Sequence, residues 1–154
     1  MNKPSIFQIL LFVTVLNPAL ALSQPAISIQ HVVVNQPPPG VEMTAGYFDI
    51  RNAGNQPVSL VKVTSPDFGD IEMHKSTVTG GVARMIEQDS VTIAPNSNLS
   101  FEPGGYHLMM FRPKKQLLIG DTVFLTFYFS DSTLIQASAM VMKPGTHLDH
   151  PDHH

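Results

Sequence analysis

Residues 122–129 read T-V-F-L-T-F-Y-F. Val123, Leu125, Phe127 and Phe129 fall on one parity, with Thr122, Phe124, Thr126 and Tyr128 on the other. Successive side chains of a strand point to opposite faces, so this is the period-two pattern of a strand. After the turn residues Ser130-Asp131-Ser132, the parity set Ile135, Ala137, Ala139 and Val141 repeats it. Upstream, Ile27 to Val34 is a short β-rich run, Met43 to Arg51 alternates through Tyr47 and Ile50, and 58–63 reads V-S-L-V-K-V. Between these runs stand Gln36-Pro37-Pro38-Pro39-Gly40, Asn52-Ala53-Gly54-Asn55, Gly80-Gly81, Pro95-Asn96, Pro103-Gly104-Gly105 and Gly120-Asp121. Strands punctuated at that interval predict an all-β domain, a two-sheet sandwich or small barrel. There is no internal repeat and no convincing amphipathic helix.

The ends of the chain read differently. Lys3 supplies a positive start, an apolar run extends from Ile6 to Leu16, and Ala19-Leu20-Ala21 offers small residues. This order describes a secretory signal peptide over residues 1–23, cleaved after Ala21 or Ser23. The run is too short to span a bilayer comfortably. Residues 24–142 then form the β domain, long enough for one self-sufficient core. Residues 143–154, K-P-G-T-H-L-D-H-P-D-H-H, carry no apolar period and are expected to be a flexible tail.

Composition narrows the functions. The formal net charge is −3 and no basic run is present, which argues against a nucleic-acid partner. The 154 residues include no cysteine, which removes thiol nucleophiles, redox dithiols, Cys-ligated metals and a thiol to carry a lipid anchor. No Ser/His/Asp set, carboxylate pair or phosphate loop is evident, so an enzyme is not expected. A blue-copper electron carrier needs a Cys ligand and is disfavoured on the same count. Methionine, by contrast, occurs 8 times and histidine 7 times.

Two stretches bring these residue types together. In G-G-Y-H-L-M-M, residues 104–110, His107 and Met109 share a face if the run is a strand, with Leu108 and Met110 opposite. A bulge would exchange the roles of Met109 and Met110. Taken alone, H-x-M is more often an ordinary core strand. In 71–85, I-E-M-H-K-S-T-V-T-G-G-V-A-R-M, two short strands flank Gly80-Gly81. A turn centred on Thr79-Gly80 sets His74 opposite Met85; a turn through Gly81 displaces that pairing by one or two places. Cross-strand side chains lie about 5 Å apart, so hairpin geometry draws a second His and Met toward one point. Met73 alternates to the other face. Glu72 shares the face of His74, where it either accepts the ring N–H or is a plain exposed strand charge, the commoner fate.

Thioether sulfur is soft and neutral and favours Cu(I), whereas zinc sites draw on Cys, His and carboxylates. Copper needs neutral imidazole, so affinity should weaken as pH falls through the usual histidine range near about 6.5.

The spacing His74, ten residues, Met85, twenty-one residues, His107, one residue, Met109 resembles the signature of the periplasmic PCuAC-type copper chaperones. So do A-G-Y-F-D-I-R-N at 45–52, I-E-M-H at 71–74, G-G-V-A-R-M at 80–85, P-G-G-Y-H-L-M-M at 103–110 and L-I-G-D-T-V-F-L-T-F at 118–127. At this chain's own His and Met frequencies the four-residue template is expected by chance roughly 0.0009 times, so the match is specific. It implies a cupredoxin-like Greek-key β-sandwich and a Cu(I) site of His74, Met85, His107 and Met109. It further implies a periplasmic carrier that delivers copper toward cytochrome c oxidase assembly, to subunit II or a Sco-type thiol protein. The N-terminal strand, H-V-V-V-N-Q, departs from the aromatic-basic pair common in the family.

A copper storage or resistance protein would carry the same four ligands without a dedicated recipient. The tail adds a second candidate. His147, His150, His153 and His154, with Asp149 and Asp152, suit Cu(II) better than Cu(I); the other reading is a solvated tail that binds metal adventitiously. Of the remaining candidates, His31 is expected to be structural, and Met43 and Met140 to fill the core.

Overall fold

The computed structural model describes residues 26–145. The expected signal peptide, residues 1–23, and the histidines of the tail lie outside the described residues. Ten strands follow in chain order: β1 (Ile27–Asn35), β2 (Met43–Asn52), β3 (Val58–Thr64), β4 (Phe68–Thr79), β5 (Val82–Glu87), β6 (Val91–Ile93), β7 (Ser97–Phe101), β8 (Tyr106–Pro113), β9 (Thr122–Phe129) and β10 (Leu134–Met142). The described residues contain no helix.

Hydrogen bonds join all ten strands in one ladder, in the order β5-β4-β8-β7-β2-β1-β10-β9-β3-β6, with β8 also bonded to β2. The ladder folds over on itself. Phe48 of β2 and Phe127 of β9 are three places apart in that order, which in a flat sheet is about 14 Å at the usual strand spacing. Their ring centres lie 4.9 Å apart, edge to face. Phe48 also stacks on Phe101 of β7 at 4.2 Å. The two halves of the ladder therefore enclose a single core, as in a β-sandwich.

The alternation that predicts β9 is realised in full. Val123, Leu125, Phe127 and Phe129 are buried, while Phe124 on the other parity is 61% exposed. β10 runs antiparallel beside β9 and parallel to β1, which ties the first strand of the domain to the last.

Two expectations fail on parity. Met43 and Met140 were predicted as core, yet both are exposed. Met43 shares its parity with Ala45 and Tyr47, while Thr44 and Gly46 point inward. Met140 lies between the buried Ala139 and Val141. His31 sits at an irregularity in β1 with a φ of 52°, and its Nδ1 bonds the Asp49 carboxylate at 2.7 Å.

Candidate metal centre

The centre is built on the β5-β4-β8 end of the ladder. β8 starts after the Pro103-Gly104-Gly105 turn, where Gly104 takes a φ of 82°. From Tyr106 to Phe111 its register against β4 is unbroken; the irregular residue of the strand is Arg112, with a φ of 51°. Leu108 and Met110 are fully buried, and His107 and Met109 take the opposite face. Met110 is therefore core, and it packs against Gly46, where a Cβ would approach its Sδ to 3.0 Å. Met109 shares the face of His107.

β4 runs antiparallel to β8 with Met73 opposite Leu108, both in the core. That register sets His74 directly opposite His107 and Glu72 opposite Met109. The two imidazole rings have centres 5.9 Å apart, tilted by 50°. With a metal–nitrogen bond of about 2 Å and about 1 Å from ring centre to nitrogen, each ring reaches about 3 Å, so one ion fits between them.

β5 supplies Met85 through a hairpin. The turn takes Gly80 and Gly81 as its central pair, with φ of 60° and 79°, the left-handed conformation of a type I′ turn. Thr79 then pairs with Val82 and Ser76 with Met85, while His74 faces Glu87. Met85 thus lies two places from the position opposite His74, the displacement expected when the turn runs through Gly81. It keeps the parity of Ser76 and His74, hence their face, at a diagonal of about 7–8 Å. All four residues of the sequence-derived set therefore share one face of three adjacent strands. They differ in exposure: His107 is 6% exposed and Met85 63%.

Each ring has one nitrogen engaged. His74 Nε2 lies 2.8 Å from a Glu72 carboxylate oxygen, so Glu72 is not the plain exposed charge that strand statistics favour. His74 Nδ1 is buried with no partner. His107 Nδ1 donates to the Gly105 carbonyl at 3.2 Å. The same carbonyl accepts the Ser76 backbone N–H at 3.0 Å, pinning the start of β8 to β4. Sequence reasoning did not find the Gly105 contact, because a backbone carbonyl leaves no residue signature.

Among the described residues no three or more His, Cys, Asp or Glu side chains are grouped to hold a metal. Glu72 and the two histidines do not amount to a zinc-type centre by themselves. The other potential donors on this face are the thioethers of Met85 and Met109, a donor type that favours soft ions. His147, His150, His153 and His154 lie outside the described residues.

Comparison with known proteins agrees with this architecture. The family model described as "Putative lipoprotein LpqE-like" matches residues 27–141. Protein RP573 of Rickettsia prowazekii is 35% identical over 112 residues, 72% of this chain and 58% of that protein. A second curated relative, from Leifsonia xyli, is matched over 57% of its length, so the chain spans under three-fifths of both. The solution structure of CuI-DR1885 from Deinococcus radiodurans is 29% identical with a TM-score of 0.65, covering 82% of this chain and 85% of that one. The copper-bound PCuAC domain from PmoF2, 24% identical with a TM-score of 0.67, covers 77% of this chain and 94% of its own and shares the fold. The chain belongs to the LpqE-like family and has the cupredoxin-like fold of PCuAC-type domains.

Proposed function

We propose that this protein is a periplasmic copper chaperone that binds Cu(I) through His74, Met85, His107 and Met109. The observation that supports the reading is that two imidazoles, with ring centres 5.9 Å apart, and two methionines occupy one face of β5, β4 and β8. The donor set is neutral and soft, matched to a monovalent ion. The buried, unpartnered Nδ1 of His74 is the kind of orphan that a metal would satisfy. Likeness to the Cu(I) form of the Deinococcus protein supports the same cargo. Lipoproteins are exported, so the family description, with the signal-like start of the sequence, supports delivery across the inner membrane.

Copper is cargo in this reading and the chain is not an enzyme. A recipient approaches the exposed Met85 side and replaces ligands one at a time. By resemblance the recipient is subunit II of cytochrome c oxidase or a Sco-type thiol protein. Storage without a recipient is the competing role; deleting the gene separates them. Loss of oxidase activity at low copper supports the carrier, and copper sensitivity with normal oxidase supports storage. The tail histidines His147, His150, His153 and His154 would add a Cu(II) site; unchanged Cu(II) stoichiometry in a chain ended at Lys143 removes it.

X-ray absorption on the Cu(I) form tests the ligand set. A mixed nitrogen and sulfur shell is expected, and a shell of nitrogen alone overturns the assignment.

A further inference from the structure

We propose that Glu72 is a positioning residue that makes the copper site asymmetric, so that Cu(I) is bound by Nδ1 of His74 but by Nε2 of His107. The inference rests on the four-ligand reading above and goes beyond it, because the resemblance names residues and not ring nitrogens.

Neutral imidazole carries one N–H and one lone pair, on different nitrogens. An ionised carboxylate only accepts. At 2.8 Å from Glu72, His74 Nε2 must therefore carry the proton, which leaves the lone pair on Nδ1. That nitrogen is buried and bonded to nothing among the described residues. On the facing strand the arrangement is reversed. His107 Nδ1 gives its proton to the Gly105 carbonyl at 3.2 Å, leaving the lone pair on Nε2.

Two histidines directly opposite across an antiparallel pair thus present different nitrogens. His74 offers the atom nearer its backbone and His107 the one farther out, which draws the ion toward β4 and away from β8. Strand geometry holds the device in place: Glu72 and His74 are two residues apart and share a face. Their side chains are only 32% and 17% exposed, so water competes weakly for the contact. Metal-bound histidines commonly have their second nitrogen held by a carboxylate or carbonyl, and here the two rings use one acceptor of each kind.

The test is long-range proton–nitrogen NMR of the ring nitrogens in the full chain, before and after one equivalent of Cu(I), with Ag(I) as a second soft probe. Without metal, His74 should show a proton on Nε2 and His107 a proton on Nδ1. On loading, the large nitrogen shifts should fall on Nδ1 of His74 and Nε2 of His107. A large shift at Nε2 of His74 overturns this inference and leaves the four-ligand reading intact. No shift at either ring overturns both. Glu72→Gln keeps an acceptor oxygen and should preserve the tautomer. Glu72→Ala should mix the His74 tautomers and weaken Cu(I) binding by about 10–100-fold with an unchanged melting temperature. Equal Cu(I) affinity in Glu72→Ala and the parent chain refutes the positioning role.

Discussion

Replacing Met110 and Met109 separately by alanine asks which face of β8 is core and which is site. Met110 is fully buried and faces Gly46, which has no side chain to move into the space left behind. Buried Met→Ala substitutions cost about 2–5 kcal/mol, more where the site cannot collapse. The upper half of that range, about 3–5 kcal/mol, is expected for Met110→Ala. In a domain of this size that lowers the melting temperature by roughly 10–20 °C. Met109 is only partly buried on the other face, so Met109→Ala should change stability by about 1 kcal/mol or less. Copper should respond in the opposite sense. Calorimetry of the metal-free proteins gives the first quantity, and competition for Cu(I) against a chromophoric chelator gives the second. Met110→Ala should retain near-parental affinity at a temperature where it is folded, and Met109→Ala should lose affinity while melting normally. If Met109→Ala is the unstable variant and Met110→Ala the one that loses copper, the assignment of faces is wrong.

Three further outcomes are expected. Phe48→Ala removes the ring that contacts both Phe101 and Phe127 and should cost about 3–5 kcal/mol in urea unfolding; a loss under 1 kcal/mol would mean that the halves of the ladder are not joined through it. Gly81→Ala forces a Cβ into the left-handed region, at φ 79°, for about 1–2 kcal/mol. The penalty should appear as faster amide exchange confined to β4 and β5 and weaker Cu(I) binding, and uniform loss of protection would refute this. Burial pushes the Tyr47 phenol above its usual value of 10.0. The folded state then holds this proton more tightly than the unfolded chain, so the associated stability is complete below pH 10 and lost as pH rises through the folded value. Absorbance titration should find a late-ionising phenol that Tyr47→Phe removes; a Tyr47→Phe variant that leaves the late part of the curve unchanged would contradict it.

Alternation made the principal strands legible in the sequence. Val123, Leu125, Phe127 and Phe129 could be assigned inward because one parity of β9 is uniformly large and apolar. β6 and β7 were not legible, since three and five residues carry too little period to separate from loop. Met43 and Met140 misled because methionine is apolar by type, whereas parity within the strand decides exposure. The four site residues were visible through spacing, but not the exact pairing of Met85. One residue of difference in which pair forms the turn displaces the register by two, and Thr79-Gly80 and Gly80-Gly81 are both acceptable turn pairs on sequence alone. The hydrogen bond of Glu72 depended on a side-chain rotamer, and no spacing rule reports that.

Strand β5 is bonded to β4 alone, and every one of its six residues is exposed. Of the four proposed ligands it carries only Met85; the other three sit on strands with neighbours on both sides. In the proposed copper-carrying role, grip on the metal and integrity of the fold are therefore separable properties. Fraying of one peripheral hairpin would lower the coordination number from four to three while the barrier to global unfolding stays as it was. Evolution could then tune how long copper resides on the protein through the turn at Gly80 and Gly81, a dozen or so residues that the core does not depend on.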